Sequence, residues 1–168
     1  TGFLLVCLIG LMNAVVRTGA LFNVVPLIAA GTLGLGAGQI GSSFALGSVL
    51  GVLASYPAGA LADRYGRKPV IVPSTLLTGA SLVAFCLAPS FGWFLVANVL
   101  WGIASSVAGA APTAYATDAA PPGMNAAAMS SYRMLSDIGY VVGPISLGLL
   151  ADLQGPQAAL WVSASLIV

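Results

Sequence analysis

Asp63, Asp118, Asp137 and Asp152 are the chain's only carboxylates, and Arg17, Arg64, Arg67, Lys68 and Arg133 its only fixed cations. There is no histidine, and Cys7 and Cys86 stand alone in apolar runs, where they read as packing residues. No nucleophile–base pair, phosphate loop or metal-ligand spacing can be assembled from this set. An enzyme is the least supported reading, and neither a metal nor a cofactor is expected. Two arrangements remain chemically informative. Arg133 and Asp137 stand four apart and share a helix face. They read either as an intrahelical ion pair or as a poorly solvated carboxylate whose proton affinity changes when the Arg contact is lost or gained. Arg17 is the only charge in the first long apolar run.

The solvent that must hold these charges follows from composition. The chain is 59% hydrophobic and 5% charged, against about 25% charged for a soluble domain. Its surroundings are a lipid bilayer, and a net charge of +1 gives no case for a nucleic-acid partner. A hydrocarbon core of about 30 Å needs about 20 apolar helical residues. Such runs fall at Phe3–Ala30, Gln39–Leu61, Pro69–Ala88, Phe91–Thr117 and Ala126–Ala151, and a sixth, shorter one starts near Gln157. The breaks are GTLGLGAG (Gly31–Gly38), DRYGRK, APSFG (Ala88–Gly92), DAAPPGMN (Asp118–Asn125) and DLQGP (Asp152–Pro156). The expected class is an all-α membrane protein of six transmembrane helices. The runs do not alternate as barrel strands would. There is no initiator Met, no secretory signal pattern, and both ends lie in apolar sequence. The expectation is therefore one piece of a longer protein.

Arg64, Arg67 and Lys68 lie between the second and third spans, and Arg133 lies beside the loop between the fourth and fifth. With six spans these loops share a side, which the excess of Lys and Arg makes cytoplasmic. The segment GALADRYG (Gly59–Gly66), ending the second span, returns as GLLADLQG (Gly148–Gly155), ending the fifth. The two copies then sit at opposite faces, as an inverted repeat of three plus three helices requires. The repeats are expected at residues 1–90 and 91–168.

The stretch Gly59-x-x-x-Asp63-Arg64-x-Gly66-Arg67-Lys68 resembles the loop signature of the major facilitator superfamily, at the connection where that family carries it. Gly139-x-x-x-Gly143-Pro144-x-x-Leu147-Gly148 is similar to the fifth-helix motif of its drug/proton antiporter branch, with Ser130 and Leu147 in place of two family glycines. Asn98-x-x-Trp101-Gly102 stands where many members have Arg-x-x-Gln-Gly. The resemblance covers the whole chain as one six-helix half of a twelve-helix transporter, leaning towards the carboxy-terminal half. It implies a secondary transporter working by rocker-switch alternating access in a bacterial-type inner membrane. Its partners would be a small-molecule substrate, a coupling proton, the lipid bilayer and the other six-helix half. Proton-coupled efflux of a drug or metabolite leads. Organic-anion uptake or export is the alternative, and a transporter-like receptor or scaffold the rival from another class.

By the same resemblance, Gly59, Asp63, Arg64, Gly66, Arg67 and Lys68 form a cytoplasmic charge cluster that latches one state, with Asp118 and Arg133 as partners. The competing reading is that the cations set topology and touch anionic lipid. Arg17 lies roughly 20 Å along the first helix, where an arginine costs about 2.5–3.5 kcal/mol to insert. It must face protein or water. It is a candidate for substrate binding or coupling, with an ion pair to Asp137 as the structural alternative. Asn13, Asn23, Asn98, Thr113 and Tyr115 complete the candidate cavity, because the first and fourth helices line it in this family. Pro26 and Pro112 are expected to kink those helices. Gly47, Gly51, Ser55 and Gly59, like Gly139 and Gly143, form small-residue stripes that allow close helix approach between the two halves.

Overall fold

The computed structural model describes residues 2–65, 68–118 and 124–167, and the side-chain surroundings of these except 2, 62–63, 65, 68–69, 71 and 107–118. Within them the chain forms six rods. The first is a continuous run of α1 (Gly2–Val15), a π-helical segment (Val16–Val24) and α2 (Val25–Thr32). The others are α3 (Ala37–Tyr65), α4 (Lys68–Cys86), α5 (Phe91–Asp118), α6 (Asn125–Gln154) and α7 (Pro156–Ile167). Among the described residues, Phe3–Thr32, Ala37–Leu61 and Asn125–Gln154 are long and apolar enough to cross a membrane. Val72–Cys86 and Phe91–Ser106 are shorter apolar helices.

The rods end where their local chemistry says they should. The first loop is tighter than the Gly31–Gly38 break, because helix continues to Thr32 and resumes at Ala37. Gly34 takes φ +63°, a left-handed turn that a Cβ would disfavour. Leu35 N–H then reaches back to Ala29 O at 3.1 Å. Gly36 donates its N–H to Gln39 Oε1 at 3.1 Å, the back-bonding half of a capping box that starts α3. At the far end of α6, Gly155 takes φ +92° and donates to Ala151 O at 2.9 Å. Pro156 follows as the first residue of α7, where its missing N–H costs nothing.

Packing follows a regular scheme. α3 lies along α5, and α1 with the π-helical segment lies along α6. α4 packs on α5 and α7, while α7 packs on the π-helical segment and α6. Exchanging the first three rods for the last three carries α3–α5 into the first rod with α6, α4–α5 into α7 with the π-helical segment, α6–α7 into the contact of α3 with α4, and α4–α7 into itself. That is the contact pattern a three-plus-three repeat produces.

Glycines set both long crossings. A Cβ on Gly47 would lie 2.6 Å from Asn98 O, and one on Gly51 2.6 Å from Gly102 O, so α3 and α5 meet backbone to backbone. Gly139 and Gly143 bring α6 equally close to Leu11 O and Val15 O, each 2.6 Å from the added Cβ. The stripes do not extend to their outer members. A Cβ on Gly59 or Gly148 meets nothing within 4 Å among the described residues. The close approach expected of the stripes between two halves would, at Gly59 and Gly148, involve protein beyond these described contacts.

The core joins Val16, Leu21, Val24 and Val25 of the first rod to Leu82 and Phe85 of α4, Phe94 of α5 and Leu160 of α7. Rings of Phe22, Phe44, Phe94 and Phe85 stack edgewise, with successive centroids 6.2, 6.5 and 5.3 Å apart. Buried hydroxyls of Ser43, Thr78, Ser81 and Ser163 each donate to a carbonyl three or four residues back. A dry interior therefore holds no unpaired buried side-chain polar atom among the described residues. Outward faces are apolar too, as at Val52 and Leu53 of α3 and Val141 and Leu149 of α6. Such a surface suits lipid or neighbouring protein. Cys7 and Cys86 are free thiols, the first buried and the second half-buried.

Candidate substrate cavity

The glycine crossing of α3 and α5 faces the π-helical segment, and Arg17 lies in the space between them. A cavity of about 280 Å³ opens between the π-helical segment, α3 and α5. Arg17, Phe22, Phe44, Ser48, Asn98 and Trp101 are among its lining residues, and Arg17 is the only ionisable one among the described lining residues. At ~30 Å³ per molecule it has room for about nine waters. Arg17 is exposed, and no ion pair holds it among the described residues.

The backbone beneath Arg17 is unusual. Residues Val16–Val24 wind as a π-helix, a rare form that recurs at functional sites. Local chemistry accounts for it. Pro26 has no N–H to return to the preceding turn, and Val25 N–H bonds five residues back to Ala20 O. Thr18 Oγ1 donates to Ala14 O at 2.7 Å, and Asn23 Nδ2 donates to Thr18 O at 2.9 Å. Packing then pins the segment. A Cβ on Gly19 would sit 2.5 Å from Gly143 O of α6.

Asn98 forms the cavity's polar floor. It is buried, and its Nδ2 donates to Phe94 O at 3.0 Å and to Ser43 Oγ at 3.4 Å. The second contact ties α5 to α3 just beyond the Gly47 crossing. In a bilayer, interhelical hydrogen bonds of this kind average about 0.6 kcal/mol.

Arg133 and Asp137 lie elsewhere. Both are exposed on the outer face of α6, where they line an open groove with Ser130, Met134, Ile138, Val141 and Val142. Sharing a face does not join them, since no ion pair forms there among the described residues. Nor does Asp137 pair with Arg17, which opens towards α3 and α5. Both ion-pair readings from the sequence are thereby corrected.

Of the other candidate residues, Asn13 is half-buried on α1, and Asn23 is spent on the π-helical backbone. Neither lines the cavity. Arg64 is exposed near the end of α3. Gly66 and Arg67 lie outside the described residues, while Asp63, Lys68, Thr113, Tyr115 and Asp118 are described only as helical backbone. Pro144 is half-buried within α6.

The sequence pattern of the Major Facilitator Superfamily matches residues 4–168. The chain belongs to this family. It is 28% identical to the arabinose-proton symporter of Bacillus subtilis over 61% of this chain and 21% of that protein. It is 35% identical to a probable peptide/nitrate transporter of Arabidopsis thaliana, over 71% of this chain and 24% of that one. Multidrug resistance protein MdtG of Escherichia coli is 30% identical over 76% of this chain and 31% of its own length. The matches thus span about a fifth to a third of these relatives' lengths. The chain is an all-α integral membrane protein of a family whose members are small-molecule transporters rather than enzymes.

Sequence reasoning found Arg17 and Asn98 but missed Ser48, Phe22, Phe44 and Gly19. Ser48 follows Gly47 directly, so a serine beside a crossing glycine was the available signal. Gly19 gave none, since its need for a bare Cα comes from Gly143 of α6.

Proposed function

We propose that this chain is one six-helix half of a secondary active transporter, its two three-helix repeats meeting near residue 90. The small-molecule substrate binds at the Arg17 cavity, and rocking of the halves exposes that cavity to alternate sides. The observation that carries this reading is Arg17, without an ion-pair partner among the described residues, on the wall of a cavity whose other described lining residues are uncharged. A bilayer protein does not keep such a charge without water or a ligand to meet it. The open polar lining also speaks against a receptor or scaffold without transport, for which a packed centre would serve.

Proton-coupled efflux of a drug or metabolite is supported by the similarity to MdtG and by the fifth-span motif. Asp137 is the coupling carboxylate in this reading, with Arg133 its neighbour on α6. The latch formed by Asp63, Arg64, Arg67 and Lys68 with Asp118 and Arg133 faces the cytoplasm of a bacterial-type inner membrane. A second reading is transport of an organic anion in either direction, favoured by the positive charge of Arg17 on the cavity wall.

The test is proton-driven transport by the full-length protein in vesicles. Arg17→Ala should abolish saturable uptake. Asp137→Asn should keep substrate exchange but lose accumulation driven by the proton gradient. Full gradient-driven uptake by both variants would overturn the assignments.

A further inference from the structure

Asn98 carries more information than its burial. Its amide nitrogen and oxygen are told apart by Phe94 O, which only accepts, so the atom 3.0 Å from it is Nδ2. No donor among the described residues reaches Oδ1. Yet no buried side-chain oxygen is left unpaired. Oδ1 therefore keeps some accessible surface, and the cavity that Asn98 lines among the described residues is the Arg17 cavity. Among the described residues the wall presents one cation without an ion-pair partner and one fixed neutral acceptor, and Ser48 adds a hydroxyl with no hydrogen bond to another described residue. Phe22 and Phe44 add an aromatic surface to the same lining, their centroids 6.2 Å apart.

We propose that the cavity selects a small organic anion carrying its own hydrogen-bond donor. Arg17 holds the anionic group, Asn98 Oδ1 accepts from the donor, and the apolar body lies on Phe22 and Phe44. This rests on the reading that places the substrate at this cavity. The geometry makes Asn98 a selectivity device. Its Nδ2 is fixed by Phe94 and Ser43, so the amide cannot turn to offer a donor instead. A ligand without a donor leaves Oδ1 desolvated and unpaired, which sites built this way reject strongly. A cationic ligand meets Arg17 with no carboxylate among the described lining residues to offset it.

The experiment measures binding to the full-length protein in lipid nanodiscs by calorimetry, with three matched anions. Mandelate has a carboxylate, a hydroxyl donor and a ring. Phenylacetate lacks the hydroxyl, and α-methoxyphenylacetate keeps the oxygen without the donor. Mandelate should bind about tenfold more tightly than either of the others. Asn98→Leu should remove that preference, because no acceptor is then left unpaired beneath the ligands without a donor, and Arg17→Gln should lose all three. The wild-type comparison stands even where Asn98→Leu fails to fold. Equal binding of the three, or a preference that survives Asn98→Leu, overturns the donor assignment alone. Failure of all three to bind the wild type overturns the anion class, and proton-driven uptake of another substrate would then leave the transporter reading standing. Unchanged binding in Arg17→Gln sinks the placement of the substrate at this cavity as well.

Discussion

Gly102 of α5 and Gly47 of α3 cross with no side chain between them, so that a methyl group on Gly102 would overlap Gly47 O. Neither backbone can retreat easily. Gly51 is held against Gly102 O one turn along, and Asn98 reaches Ser43 one turn the other way. Gly102→Val should therefore destabilise the bundle by about 1–3 kcal/mol, the usual cost of overpacking. Gly59→Ala and Gly148→Ala, which add a methyl to open space, should leave stability unchanged or raise it by up to ~1 kcal/mol. Thermal unfolding in detergent, followed by size-exclusion of the remaining fold, separates the two classes. A Gly102→Val protein as stable as Gly59→Ala would refute the crossing.

The π-helical segment gives a second outcome. Asn23→Ala removes the side chain that satisfies Thr18 O, and Pro26→Ala restores the missing N–H. Together they should allow the segment to wind as α-helix. That conversion turns one end against the other by about 100°, one residue's worth of helix. Gly19 is pinned to Gly143 and Ile28 is buried in the core, so the turn must redirect residues between and beside them, Arg17 included. The double variant should melt no lower than the wild type yet transport at least about tenfold more slowly, since a small misplacement of a binding group costs that much. Undiminished transport would show that the π-helix does not aim Arg17.

These two cases mark how far the sequence reached. The spans were legible because an apolar run of bilayer length admits only a helix, and Gly–Pro chemistry marks its ends. Helix α5 begins at Phe91 and α7 at Pro156, within a residue of the expected starts. The crossing glycines were legible as stripes, though not where the stripes stop. Spacing along one helix cannot say which neighbour, if any, lies opposite Gly59. The same limit explains the ion pairs. A spacing of four puts Arg133 and Asp137 on one face, but long exposed side chains give up rotamer freedom to meet, and nothing packs them together. The π-helix was illegible because it depends on Pro26, Asn23 and the approach of α6 at once.

The outer face of α6 yields a third expectation. Arg133 and Asp137 are exposed in an apolar groove, and each charge left against lipid would cost about 2.5–3.5 kcal/mol at mid-bilayer. In the full-length protein this groove should therefore meet water or protein. In a Cys7→Ala/Cys86→Ala background, Asp137→Cys should react with a charged, membrane-impermeant thiol reagent, while Leu149→Cys should not. Substrate or a proton gradient should change the Asp137→Cys rate if the halves rock across this face. A site 137 as inert as site 149 would mean the groove faces lipid, and would remove Asp137 from the coupling assignment.

The repeated helix ending supplies the last expectation. Both copies of Gly-x-Leu-Ala-Asp-x-x-Gly are helical up to the residue before the final glycine, α3 being described to Tyr65 and α6 ending at Gln154. The backbones are alike, so the cations of the first copy are what distinguish the two. Positive charge is retained on the cytoplasmic side, so the proposed orientation has Arg64 inside and Gln154 outside. In intact cells, a membrane-impermeant maleimide should label Gln154→Cys at once and Arg64→Cys only after permeabilisation. Moving charge should weaken that bias. Adding two lysines beside Gln154 while replacing Arg64, Arg67 and Lys68 with glutamine should produce a mixed population labelled from both sides. Labelling of Arg64→Cys in sealed cells of the unmodified background would invert the assigned topology and, with it, the cytoplasmic latch.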